Sequence, residues 1–133
     1  MKKLLLLSLM MLSSCTLVDA YLMTHYDPNE YATITGIRAL AQMAKEQCDD
    51  PVASRANAIK LEQDTQFFVL FSEHVPRNDD VVSASKDLHV IAQGLSDQYI
   101  KTGKVSVGFC KIKFASIESN ADKMQTVIGK RPR

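Results

Sequence analysis

The sequence predicts an all-α domain, an up-down-up-down four-helix bundle closed by one disulfide. Three observations carry that prediction. Four stretches place apolar residues at three- and four-residue spacing, which is the period of one helix face. Capping residues and prolines stand where those stretches begin. Two cysteines, Cys48 and Cys110, fall where the first stretch ends and the last begins.

The first helix opens at Asp27-Pro28-Asn29-Glu30. Asp27 can accept from the free backbone N–H groups, Pro28 suits the first helical position, and Glu30 sits where a capping box needs its acid. Tyr31, Ile34, Ile37, Ala41, Ala44 and Cys48 then form one apolar face, ending near Gln47. Asp49-Asp50-Pro51 stops that helix and caps the next. So short a connection folds the second helix back antiparallel to the first. Val52, Ala56, Ile59, Phe67 and Leu70 read as its core stripe, interrupted by Gln63, with an end near His74 because Val75-Pro76 disfavours continuation.

Asn78, Asp79 and Asp80 cap a third helix and favour its positive end. Its stripe is Val81, Ala84, Leu88, Ile91, Leu95 and Tyr99, and Thr102-Gly103 stops it. The last segment is ambiguous at its start, since Val105, Val107 and Phe109 alternate as in a strand. Cys110, Phe114, Ile117, Ala121, Met124 and Ile128 continue at helical spacing from Val107, a run no strand explains. A helix over about 106–128 is therefore expected, followed by a basic, frayed tail at 129–133.

Residues 1–15 read differently from the rest. Lys2 and Lys3 precede a nine-residue apolar run, Leu4 to Leu12, closed by Leu12-Ser13-Ser14-Cys15. Nine residues are too few for a helix across a hydrocarbon core of ~30 Å, but they fit the apolar region of an export signal. The ending resembles the lipobox of bacterial lipoprotein signal peptides. That resemblance covers only 1–15, and no family motif is read in the mature part. It implies that 1–14 are removed, that the Cys15 thiol receives diacylglyceryl, and that its new amino group is acylated, commonly with palmitate. It also implies a tether at 15–26, a domain at 27–128 and a place in the cell envelope. With Thr16 rather than Asp after the cysteine, the pattern in a Gram-negative host resembles the default sorted to the outer membrane, facing the periplasm.

Removing 1–14 leaves 14 basic against 15 acidic side chains, so no global field steers the chain to nucleic acid. With Cys15 lipidated, Cys48 and Cys110 remain as an even pair in an oxidising compartment. In the expected topology the end of helix one and the start of helix four lie at the same end, which pairs them. The amino-terminal tether, the 75–79 loop and the tail then share the opposite, membrane-near end. There Lys130, Arg131 and Arg133 either reach anionic headgroups or form a solvated tail.

Motifs for chemistry are missing. No Gly-x-Ser-x-Gly elbow, Cys-x-x-Cys-His or Glu-x-x-His occurs, and His25, His74 and His89 stand far apart in the sequence. No metal, haem or other cofactor is expected, and the chain is not expected to be an enzyme. One feature exceeds what a bundle needs. Phe67-Phe68-Val69-Leu70-Phe71 is apolar around most of a helix, with Phe67 and Leu70 on the core stripe, so Phe68 and Val69 are read either as a buried contact with the tether or a wide core, or as an outward patch facing a partner or the membrane. The expected function is a membrane-anchored, non-enzymatic protein-binding module, such as an inhibitor, exclusion or accessory factor. The alternative is a structural spacer without a specific ligand, and third comes a small enzyme with a site around His74 or His89.

Overall fold

The computed structural model describes residues 24–133, in which the fold is a four-helix bundle: α1 (Pro28–Glu46), α2 (Pro51–Ser72), α3 (Asp79–Thr102) and α4 (Val107–Gly129). Each helix packs on its neighbours in sequence, and α1 packs on α4 to close the ring. Among the described residues no helix is long and apolar enough to cross a membrane.

The helix starts follow the capping chemistry of the sequence. Asp27 accepts from the amides of Asn29 and Glu30 at 2.7 and 3.0 Å, and Asp50 from those of Val52 and Ala53 at 2.9 and 3.0 Å. Ser106 accepts from the Phe109 amide at 3.2 Å and starts α4, which removes the strand-like reading of 105–109. Each such cap is worth about 0.5–2 kcal/mol. At the end of α3, Gly103 adopts φ 77°, left-handed backbone that a glycine takes without strain, and its amide bonds to the Tyr99 carbonyl at 2.8 Å.

Three stripes hold. α1 buries Ile34, Ile37, Ala41 and Ala44; α3 buries Val81, Leu88, Leu95 and Tyr99; α4 buries Cys110, Phe114, Ile117, Ala121, Met124 and Ile128. Arg38–Asp122 at 2.9 Å and Lys45–Glu118 at 2.7 Å tie α1 to α4 across their seam. The hydrogen bond to Glu118 raises the Lys45 ammonium above its ordinary 10.5, helped by attraction to Glu118 and Glu46 and opposed by partial desolvation. Cys48 and Cys110 form the disulfide, with Cα atoms 5.8 Å apart, at the end of the bundle away from Thr24.

The reading of α2 is corrected. Its core face is Ser54, Ala58, Leu61, Thr65, Phe68 and Ser72, all buried. Val52, Phe67 and Leu70, expected inside, are 80%, 58% and 51% exposed. Phe68 and Val69 are 0% and 6% exposed, which bears out the wide-core reading and rules out the alternative of an outward patch. The buried pole mixes Ser54, Thr65 and Ser72 with Ala58, Leu61 and Phe68, so the pole that packs inward is not the most apolar one.

Two smaller expectations also fail. Glu30 does not complete a capping box; it is fully buried and bonded elsewhere. The tail is not frayed, because the Tyr26 amide donates to the Pro132 carbonyl at 2.9 Å and Arg131 is drawn inward.

Candidate functional site

Two regions carry more chemistry than packing requires. The first is the end of the bundle at which Thr24 emerges. Glu30, one turn into α1, is 0% exposed, and its carboxylate accepts from Arg131 Nη1 at 2.6 Å and from Asn78 Nδ2 at 2.5 Å. Arg131 Nη2 donates to Asn78 Oδ1 at 2.5 Å, and Asn78 Nδ2 also reaches the Ser72 carbonyl at 3.0 Å. Asn78 therefore heads α3 without a side-chain cap, because its amide is turned into this network. A buried charge needs both a partner and hydrogen bonds to be tolerated, and Glu30 has them.

Around that node the chain ends are fastened. The Thr24 hydroxyl donates to the Arg77 carbonyl, and Arg77 itself holds φ 59°. Arg133 lies over the Tyr26 ring at 4.9 Å, and a Cβ at Gly129 would sit 3.0 Å from the Tyr31 ring, a contact that favours glycine there. Thr24, Arg77, Asn78, Lys130 and Arg131 border a shallow cavity of about 350 Å³. Of the three tail cations read as reaching headgroups or solvent, Arg131 is committed to Glu30 and Arg133 stacks on Tyr26, while Lys130 stays exposed.

The second region is the outer side of α2. Phe67 and Leu70 border an open groove of about 500 Å³ against α3, together with Glu62, Gln63, Gln66, His89 and Gln93. His89 is fixed there. The Thr65 hydroxyl lies 2.8 and 3.0 Å from the Leu61 and Glu62 carbonyls and shares a hydrogen bond of 3.1 Å with His89 Nδ1.

The histidines do not converge. His74 Nδ1–H donates to the Leu70 carbonyl at 2.9 Å at the end of α2, His25 is exposed beside the start of α1, and His89 is on α3. Among the described residues no three His, Cys, Asp or Glu side chains are grouped to hold a metal. Cys15 lies outside the described residues, as does most of the tether.

Family models, curated proteins and solved structures were compared with the chain, and none matches. Function is therefore argued from the residues.

Sequence reasoning missed the Glu30–Asn78–Arg131 node because its members are 48 and 53 residues apart and each had a local explanation as a cap or tail. It put Phe67 and Leu70 on the wrong side of α2. The usable signal was the spacing of Ser54, Ala58, Leu61, Thr65, Phe68 and Ser72, alternately four and three, which is as regular as the apolar stripe opposite.

Proposed function

We propose that this chain is a lipid-anchored lipoprotein of the bacterial cell envelope, whose bundle is a non-enzymatic module that binds a partner protein. The anchor reading rests on Leu12-Ser13-Ser14-Cys15. The binding reading rests on one observation, the apolar solvent face of α2 with Phe67 and Leu70 more than half exposed beside an open groove. A rigid, disulfide-closed bundle suits such a role, because a preorganised surface loses little entropy on docking.

Export fits the disulfide, which persists only in an oxidising compartment. Outer-membrane sorting with the domain in the periplasm follows from Thr16 in a Gram-negative host. Anchoring at Cys15 would hold the Thr24 end near the bilayer, since the eight residues between them span at most about 30 Å. The disulfide end would then point away.

Affinity purification of the native lipoprotein from detergent-solubilised envelopes tests the binding reading. A partner recovered at a fixed stoichiometry supports it, and recovery of none contradicts it. The second reading, a spacer acting through anchoring alone, draws on the fastened end of the bundle, where Tyr26 is bonded to Pro132 and Arg131 to Glu30.

A further inference from the structure

We propose that the α2–α3 hairpin is a latched arm. It pivots as one unit about the disulfide end and parts from an α1–α4 body at the Thr24 end, where Asn78 holds it shut. This concerns the chain's own motion and stands whether or not a partner protein binds.

The connections from α1 to α2 and from α3 to α4 both lie at the disulfide end, at 47–50 and 103–106, and Cys48–Cys110 ties that end together. At the Thr24 end the backbone joins α2 only to α3, through 73–78. The hairpin is therefore attached covalently to the rest at one end alone. Packing divides the bundle the same way: α1 packs more extensively on α4 than on α2, and α3 more on α2 than on α4.

Side-chain bonds follow that division. α1 and α4 are joined along their length by Lys45–Glu118, Arg38–Asp122, Arg38–Gln125 at 3.0 Å and Gln125–Thr35 at 2.8 Å. α2 and α3 are joined by Thr65–His89 and, from the end of α2, by Lys86–Glu73 at 2.9 Å. Among the described residues, the bonds that cross between the two pairs stand at the ends: Asn57 to Gln47 at 2.6 Å beside the disulfide, and the Glu30–Asn78–Arg131 node opposite. The inward hydroxyls of the arm add no tie. Ser85 bonds to the Val82 carbonyl, Thr65 bonds within the arm, and Ser54, Ser72 and Ser96 are buried without a hydrogen-bond partner. A seam holding unbonded hydroxyls is weaker than an apolar seam of the same size.

At the tip the fastening is small. Asn78, the residue before α3, bonds to Glu30 of α1 and to Arg131 beyond α4. Beside it the Thr24 hydroxyl donates to the Arg77 carbonyl, and Tyr26 is bonded to Pro132, so Thr24 moves with the body. The cavity of about 350 Å³ lies between Asn78, Asp80 and Val81 of the arm and Val127 and Arg131 of the body, so the seam is already open next to the latch. Removing the Asn78 side chain leaves Glu30 paired with Arg131, because both belong to the body; the tie to the arm is what goes. Thr24 makes the tether a second bolt on the same arm, and releasing it loosens the tip.

The test uses the full lipid-bearing chain in detergent micelles, disulfide intact, and alkylation of one buried thiol at a time by iodoacetamide. Serine-to-cysteine changes add little volume, so Ser72→Cys and Ser85→Cys report toward the tip and Ser96→Cys toward the pivot; all three sites are fully buried or nearly so. The expected result is that the two tip thiols react about tenfold faster than the pivot thiol, since a local opening costs less than global unfolding. They should also react faster than the amides of α2 and α3 exchange with deuterium, each rate taken relative to the unfolded chain, because helix hydrogen bonds survive a rigid parting. Asn78→Ala should speed both tip thiols by about tenfold through its lost hydrogen bonds, and Thr24→Val by less. Thr24→Val and the parent keep the test standing if Asn78→Ala fails to fold. Equal rates at all three thiols, or no alkylation, would mean that the bundle opens only as a whole and overturns the arm. Tip labelling in step with amide exchange would mean that the helix ends unravel, and overturns it as well. Tip rates unmoved by either variant overturn the latch.

Discussion

Arg131→Met is the most informative perturbation of the fold. The side chain is 10% exposed and donates to the Glu30 carboxylate, which is 0% exposed, and to Asn78. Methionine keeps much of the volume and removes the charge. Glu30 is then left buried with only the Asn78 amide, and the Asn78 carbonyl loses its donor. Removing one member of a buried pair costs about 3–5 kcal/mol, against a net stability of about 5–15 kcal/mol for an ordinary domain. At roughly 4 °C per kcal/mol for about 110 residues, the melting temperature should fall by about 12–20 °C. The assay is thermal and urea unfolding of the chain without its first 15 residues, disulfide intact. The double variant Glu30→Met with Arg131→Met should recover most of the loss, since a well-packed apolar pair can replace a buried ion pair. A loss below about 1 kcal/mol for Arg131→Met would refute the reasoning and return the tail to a solvated end.

Three other outcomes are expected. Reducing Cys48–Cys110 opens a loop of 62 residues worth about 4 kcal/mol in the chain-entropy model, so the melting temperature in DTT should drop by roughly 16 °C; unchanged melting would count against the bridge. Phe68→Glu should prevent folding as seen by circular dichroism, whereas Phe67→Glu should fold normally, because the first side chain is fully buried and the second more than half exposed. The raised Lys45 value means its tie to Glu118 is fully present below pH 10.5 and is lost as pH climbs through the folded value, so Lys45→Met and the parent should differ in stability at neutral pH and converge in strong alkali.

Much of the fold was legible because its strongest signals are local. Asp27, Asp50 and Ser106 mark helix starts by capping chemistry alone, and Gly103 marks an end by its backbone freedom. On α1, α3 and α4 the apolar face is also the buried one, so spacing located the core and put Cys48 beside Cys110. α2 broke that equivalence. A hydrophobicity reading assigns Val52, Phe67 and Leu70 to the interior, yet Ser54, Ala58 and Thr65 occupy it with Leu61 and Phe68, since tertiary packing decides which pole turns in. The same inversion that spoiled the core assignment moved the candidate partner surface from Phe68 and Val69 to Phe67 and Leu70. The polar node at the Thr24 end was illegible for another reason. Glu30, Asn78 and Arg131 belong to three separate segments, and only the closed bundle makes them neighbours.

The anchored-module account is tested most directly by intact mass spectrometry of the native protein purified from envelopes. The account predicts a chain beginning at residue 15, with diacylglyceryl on the Cys15 thiol and an acyl group on its new amine. A product that retains residues 1–14, or one whose residue 15 carries no lipid, would contradict it.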